Sequence, residues 1–283
     1  MSGFFRFFLA LLLLSVLVLP SCLRPRNAEV PVTEAVTEQI QEAPGAADRS
    51  GFAARLSNVM RNAELPPDLS RRIQAASVEN PAFILDLLVV LEGSPYLREL
   101  VDNHHPLPTG FVPPELVPLT GGSFGVTRDG MLLRRSAAVA LEEMAAAARA
   151  DGVVLTVGSA YRSFAHQTEV HNRLIQQMGR EEALRVSARP GHSEHQTGLA
   201  VDFAPISDAF AETAAGRWVD ANAYRFGWSL SYPDGYEHIT GFRWESWHFR
   251  YVGRNLVAFI NNYFDGIQHF ALRFLHEWNL YTP

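Results

Sequence analysis

Residues 188–203 read Ala-Arg-Pro-Gly-His-Ser-Glu-His-Gln-Thr-Gly-Leu-Ala-Val-Asp-Phe. The stretch starts as a loop, punctuated by Pro190 and Gly191, and its end, Leu199–Phe203, alternates as a strand does. Asp202 lies in that otherwise apolar strand, where a carboxylate without a partner is costly. A second strand, Trp247–Val252, is rich in aromatic residues and carries His248 between Trp247 and Phe249. Two polar residues inside two apolar strands point to a shared partner, and His195 in the preceding loop supplies a third donor. A catalytic zinc takes three protein ligands and keeps a fourth position for water. The chain has one cysteine, Cys22, so a metal here is held by His and carboxylate rather than thiolate. Each residue alone has a plainer role: Asp202 capping a turn, His248 as a hydrogen-bonded core histidine. Their joint occurrence, in order, carries the argument.

The flanking elements set the fold class. The alanine-rich segment 134–150 predicts a firm helix ended by Gly152, followed by a buried strand over Val153–Val157. That strand delivers Ser159-Ala-Tyr161-Arg162-Ser163, and 164–178 predicts another helix. Trp218–Phe226 reads as helical and Trp228–Tyr232 as a strand. Helices and strands are segregated, so the expected class is α+β, a small antiparallel sheet flanked by helices. Residues 51–100, broken by Pro66-Pro67 and restarted at Asn80-Pro81, predict a short helical module before a main domain over 101–283.

Three further groups are candidates for chemistry. Glu245 stands three residues before His248, near enough to take a proton from water at a metal without binding the metal itself. In an ideal strand such positions face opposite ways, so the backbone should bend between Glu245 and Trp247. Arg162 follows a strand and sits among hydroxyls, where a guanidinium can bind a carboxylate or polarise a carbonyl. Tyr161, Ser163, Gln167 and Ser193 are candidates for a peptide-binding wall.

The N-terminus reads differently. Arg6 precedes an apolar run, Phe7–Leu19, too short for a comfortable membrane span but suited to a secretory signal over 1–21. Leu19-Pro20-Ser21-Cys22 looks like a bacterial lipobox, which makes Cys22 the expected lipid attachment point and the chain an exported, membrane-anchored lipoprotein of the cell envelope. Residues 22–50 lack aromatics and read as a tether. Overall, 47% hydrophobic and 19% charged residues fit a globular chain, and a net charge of -6 argues against a nucleic-acid partner. Nothing in the sequence sets an oligomeric state.

The motif Ser193-x-His195-x-x-Gly198-x-Ala200-x-Asp202, with Ser159-Ala-Tyr-Arg-Ser163 and Glu245-Ser-Trp-His-Phe-Arg-Tyr251, resembles the VanY-type D-alanyl-D-alanine carboxypeptidase family. His105-Pro-Leu-Pro108, Ala223–Gly227 and Tyr232-Pro-Asp-Gly235 match too, so the resemblance covers roughly 101–262. It implies the compact fold shared with hedgehog-type zinc domains. It also implies one zinc on His195, Asp202 and His248, Glu245 as general base and acid, and Arg162 stabilising the transition state. Tyr161, Gln167, Ser193 and Trp247 match positions that line the substrate pocket. The implied activity is D,D- or L,D-carboxypeptidase action on peptidoglycan stem peptides. Competing readings are an endopeptidase of the same fold and a non-catalytic wall-binding lipoprotein. Ser246 replaces a common proline, and Ser231 replaces a common arginine, so a positive charge near the cleft is expected to be missing there.

Overall fold

A computed structural model describes residues 46–281, with side chains from Gly51 onward. The expected signal segment, Cys22 and the tether up to residue 45 lie outside the described residues.

The alanine-rich helix spans Arg135–Ala150. Its end displaces the strand expected to follow. Gly152 takes φ of +76°, its amide donates to Arg149 O, and the amide of Val153 reaches back to Ala148 O at 2.8 Å. This Schellman closure uses the first residues of the apolar run to finish the helix. The strand therefore starts at Thr156, not Val153.

In chain order the strands are β1 (Leu116–Pro118), β2 (Gly125–Val126), β3 (Leu132–Arg134), β4 (Thr156–Ser159), β5 (Ala200–Phe203), β6 (Trp228–Leu230) and β7 (His248–Tyr251). A five-stranded sheet runs β2-β4-β5-β7-β6, and β1 pairs with β3 in a separate ribbon. The sheet is antiparallel as expected except at one edge, where β2 and β4 are parallel. The reason is the connection: β3 and the helix Arg135–Ala150 lie between them in the chain, and a crossover of that kind returns the next strand in the same direction.

Register then places the candidate ligands. Asp202 on β5 faces His248 on β7 and Ser159 on β4. Because side chains alternate along a strand, Asp202, His248 and Arg250 share one face, while Val201, Phe203 and Phe249 point the other way into the core. That core includes Leu133, Leu141, Met144, Leu155 and Trp228.

A second large cluster joins the first and last helices of the described residues. Leu56, Leu69, Phe83 and Leu87, from the helices Ala46–Asn62, Pro67–Glu79 and Pro81–Glu92, pack with Phe259, Phe264, Phe274 and Trp278 of the last two helices, Arg254–Tyr263 and Gln268–Leu280. The rings of Phe83 and Tyr263 meet edge to face at 4.9 Å.

Asp102, in the segment before β1, lies against His269 of the C-terminal helix. Buried Asp102 accepts from the amides of His104 and His105 at 2.8 and 2.9 Å, and from His105 Nδ1. Its other oxygen lies 3.4 Å from Nε2 of His269. Burial, reinforced by Arg273, pushes His269 down to about 4, against the pull of Asp102. The folded chain thus keeps His269 neutral while the unfolded chain takes up a proton near the ordinary value of about 6.5. Its stabilising contribution is present above that value and is lost as pH falls toward about 4. His269→Gln should flatten the fall of the unfolding free energy with pH across this window, measured by urea titration, by up to about 1.4 kcal/mol per pH unit. An unchanged slope would contradict the assignment.

Candidate metal centre

His195, Asp202 and His248 each present one ligand atom within 4.8 Å of the others, and all three are buried. His195 comes from the short turn Glu194–Thr197, which Gly198 closes at φ of +70° before the chain enters β5. A side chain there would also press on Leu116 and Pro113, so glycine suits the position twice over.

The hydrogen bonds decide which ring atoms face inward. His195 Nδ1 lies 2.7 Å from Ala160 O, and a carbonyl only accepts, so this nitrogen carries the proton. Burial, then the charge of Arg162, pushes the ring down to about 4, so it is neutral and Nε2 bears a lone pair. That lone pair sits 3.1 Å from Asp202 Oδ2 and has no donor. Two electron pairs facing each other in a buried site repel unless a cation lies between them. His248 shows the same preference for positive charge. Its Nδ1 is 2.9 Å from Asp202 Oδ1 and its Nε2 is 3.1 Å from Glu194 Oε2. Burial alone would lower its pKa; the hydrogen bonds to Asp202 and Glu194 outweigh this and push it up to about 10. For Asp202, burial acts upward, but the two histidines hold it well below the usual carboxylate range. Two imidazole nitrogens and a carboxylate, each imidazole braced through its other nitrogen, are a donor set that fits zinc.

The bend expected before β7 is present. His248 N donates to Glu245 O at 3.1 Å, closing a turn that brings Glu245 Oε2 to 3.7 Å from His248 Nδ1. Burial pushes the Glu245 carboxyl up to about 7, even though His248 and Arg162 act to lower it. Arg162 reaches in from the end of β4, with Nη2 3.7 Å from Asp202 Oδ2. Burial lowers its pKa, and Asp202 and Glu245 oppose the shift.

The remaining candidates divide. Tyr161 is half-buried beside Arg162, and Trp247 is buried with the Arg243 guanidinium over its ring. Ser193 is buried at the start of the ligand turn. Ser163, by contrast, caps the helix Phe164–Met178 by accepting from His166 N. The Gln167 amide donates to Ala188 O at 2.7 Å and to Ser187 Oγ, bracing the loop that leads to the ligand turn. Sequence reasoning missed the far side of His248. Glu194, Ser231, Tyr232, Arg250 and Gln268 are all buried there, and the Tyr232 ring packs 4.7 Å from the imidazole. Ser231, where the family often has arginine, is buried and donates to Glu194 at 2.6 Å. The signal available in sequence was Arg250, an arginine on the His248 face of an apolar strand.

The family described as VanY, D-alanyl-D-alanine carboxypeptidase, matches residues 130–254. YodJ of Bacillus subtilis strain 168 is 35% identical over 185 residues, 63% of this chain and 68% of YodJ. The chain belongs to the VanY family of D-alanyl-D-alanine carboxypeptidases. A D-alanyl-D-alanine carboxypeptidase from Enterococcus faecalis strain ATCC 700802 / V583 is 39% identical over 122 residues, 40% of this chain and 46% of that enzyme. Among solved structures, the LdcB LD-carboxypeptidase aligns with a TM-score of 0.52 and 34% identity, covering 59% of this chain and 85% of LdcB. A glutamate-to-alanine variant of the VanY D,D-pentapeptidase from a VanB-type resistance cassette, solved with Zn(II), aligns with a TM-score of 0.51 and 33% identity, covering 61% and 96%. The fold, the buried His-Asp-His set and these relatives make the chain a zinc-dependent metallo-carboxypeptidase of the VanY type.

Proposed function

We propose that this VanY-type enzyme releases the C-terminal D-alanine of peptidoglycan stem peptides, from a pentapeptide (D,D) or a tetrapeptide (L,D), with Glu245 and Arg162 as its catalytic residues. The observation that carries the roles is the placement of Glu245: a buried carboxylate pushed up to about 7, beside the ligand set but held outside it by the turn before β7. VanYB has been solved with D-alanine-D-alanine, and LdcB is an LD-carboxypeptidase, so both D,D and L,D specificities are represented among structures of this fold.

Zinc, when bound by His195, Asp202 and His248, supplies Lewis acidity and a more acidic water. Glu245 takes a proton from the attacking water, whose oxygen adds to the peptide carbonyl carbon. The same carboxylic acid then gives that proton to the departing amine as the C–N bond breaks, leaving a shortened peptide and free D-alanine. Arg162, cationic and largely enclosed, faces the developing oxyanion where water is scarce and its charge is worth most. Tyr161, Ser193 and Trp247 border the peptide, while Ser163 and Gln167 support the walls through the contacts above.

The reading is tested by mass spectrometry of muropeptides incubated with the purified zinc-loaded protein. Loss of one alanine from pentapeptide, or from tetrapeptide, names the D,D or L,D activity. Glu245→Ala should lower the rate by about 10²- to 10⁴-fold with zinc retained. No alanine from either substrate would refute the proposal.

We also infer that the enzyme is exported and held at the membrane by a lipid on Cys22. The support is sequence alone: Arg6, the apolar run Phe7–Leu19, and Leu19-Pro20-Ser21-Cys22 at its end. Cys22→Ala should abolish metabolic labelling with a fatty-acid analogue and move the protein out of the membrane fraction. Labelling that survives the substitution would disprove the attachment point.

A further inference from the structure

Glu194 occupies the one position of the Ser193-x-His195 motif that the motif leaves free, yet its side chain is only 4% exposed. Such burial of a glutamate is rare unless the charge is paired. Every acceptor direction of the carboxylate is used. Oε2 accepts from Ser231 Oγ–H at 2.6 Å and lies 3.1 Å from His248 Nε2. Oε1 accepts from Arg250 Nη1 at 3.0 Å and from Gln268 Nε2 at 2.9 Å. Arg250 is itself 0% exposed, and its Nη2 donates to Glu99 O at 2.7 Å.

Stability does not account for this arrangement. A buried ion pair costs several kcal/mol of desolvation per ion, and well-packed apolar residues of similar volume commonly do as well. Glu194 lies in the turn Glu194–Thr197, outside the sheet, so its pairing with Arg250 is not part of the strand ladder. What the pair reaches is a ring nitrogen of His248. A neutral imidazole has one N–H, and a carboxylate at Nε2 keeps it there. Nδ1 then turns its lone pair to the side where Asp202 and His195 converge. Without that anchor the ring has a second tautomer and a second orientation, and either removes the ligand atom.

We propose that Glu194 is a positioning residue for the metal centre. Charge-balanced by Arg250 and hydrogen-bonded by Gln268, it fixes the tautomer and orientation of His248 and so sets the affinity for zinc. Gln268 opens the C-terminal helix, beyond the segment 130–254 that matches the family, and lies 74 residues from Glu194 in the chain. The same helix carries Phe274 and Trp278 in the cluster shared with the N-terminal helices. The centre is therefore braced from outside the shared family segment. The proposal rests on the reading of His195, Asp202 and His248 as the ligand set.

The test compares zinc affinity, by competition with a chromogenic chelator, and the visible spectrum of the cobalt(II)-substituted protein. The variants are Glu194→Gln, the double replacement Glu194→Gln with Arg250→Met, and Gln268→Leu. The double replacement removes both buried charges together, so it reports on positioning if Glu194→Gln alone fails to fold. Zinc affinity should fall about 10- to 100-fold in both Glu194 variants, with a shifted cobalt spectrum, and less in Gln268→Leu. Affinity and spectrum equal to the parent, with only the melting temperature changed, would overturn the proposal and leave the network a structural one. His195→Ala is the control for the underlying reading. If it binds zinc as the parent does, the ligand set itself is wrong and the role of Glu194 falls with it.

Discussion

The carboxylate of Asp202 is the point on which the site depends. It is buried in an apolar strand, directly opposite His248 in the ladder, and within 3.1 Å of His195. Burial would ordinarily drive such a group to its neutral form. The two histidines and Arg162 reverse that, so the anion persists and holds two imidazoles around it. The register of β5 against β7 is thus a chemical constraint as well as a structural one. A slip of one residue would send Asp202 into the core and Val201 into the site.

Around this anion the protein sorts charge by position. His195 is kept neutral, His248 is held between two carboxylates, and Glu245 is raised by burial just outside the set. These departures have one arrangement in common: the region between Asp202 and the two rings favours positive charge, and the carboxyl beside it is raised by its burial. The proposed mechanism divides the work along the same line, with one carboxylate to bind the metal and one to shuttle the proton.

The parts of this legible in sequence were those that violate a local pattern. Asp202 and His248 are polar residues in apolar strands, and Glu245 could serve only if the chain bent, as it does. Glu194 was not legible because a glutamate in a polar loop reads as a solvated side chain. Only the return of Arg250 on β7 and Gln268 on the last helix encloses it, and those contacts are long-range. Gln167 and Ser163 were read as candidates for the peptide-binding wall; the structure adds that the Gln167 amide and the Ser163 hydroxyl also hold the backbone around them. The β4 boundary and the parallel β2–β4 edge escaped because helix closure at Gly152 and the crossover depend on three-dimensional path rather than on residue type.

The most direct test of the central claim is a crystal structure of the zinc-soaked protein, with anomalous data collected on both sides of the zinc absorption edge. The account predicts a single zinc peak bounded by His195 Nε2, the Asp202 carboxylate and His248 Nδ1, with His248 Nε2 still turned to Glu194. A peak elsewhere, or a zinc bound through His248 Nε2, would contradict it.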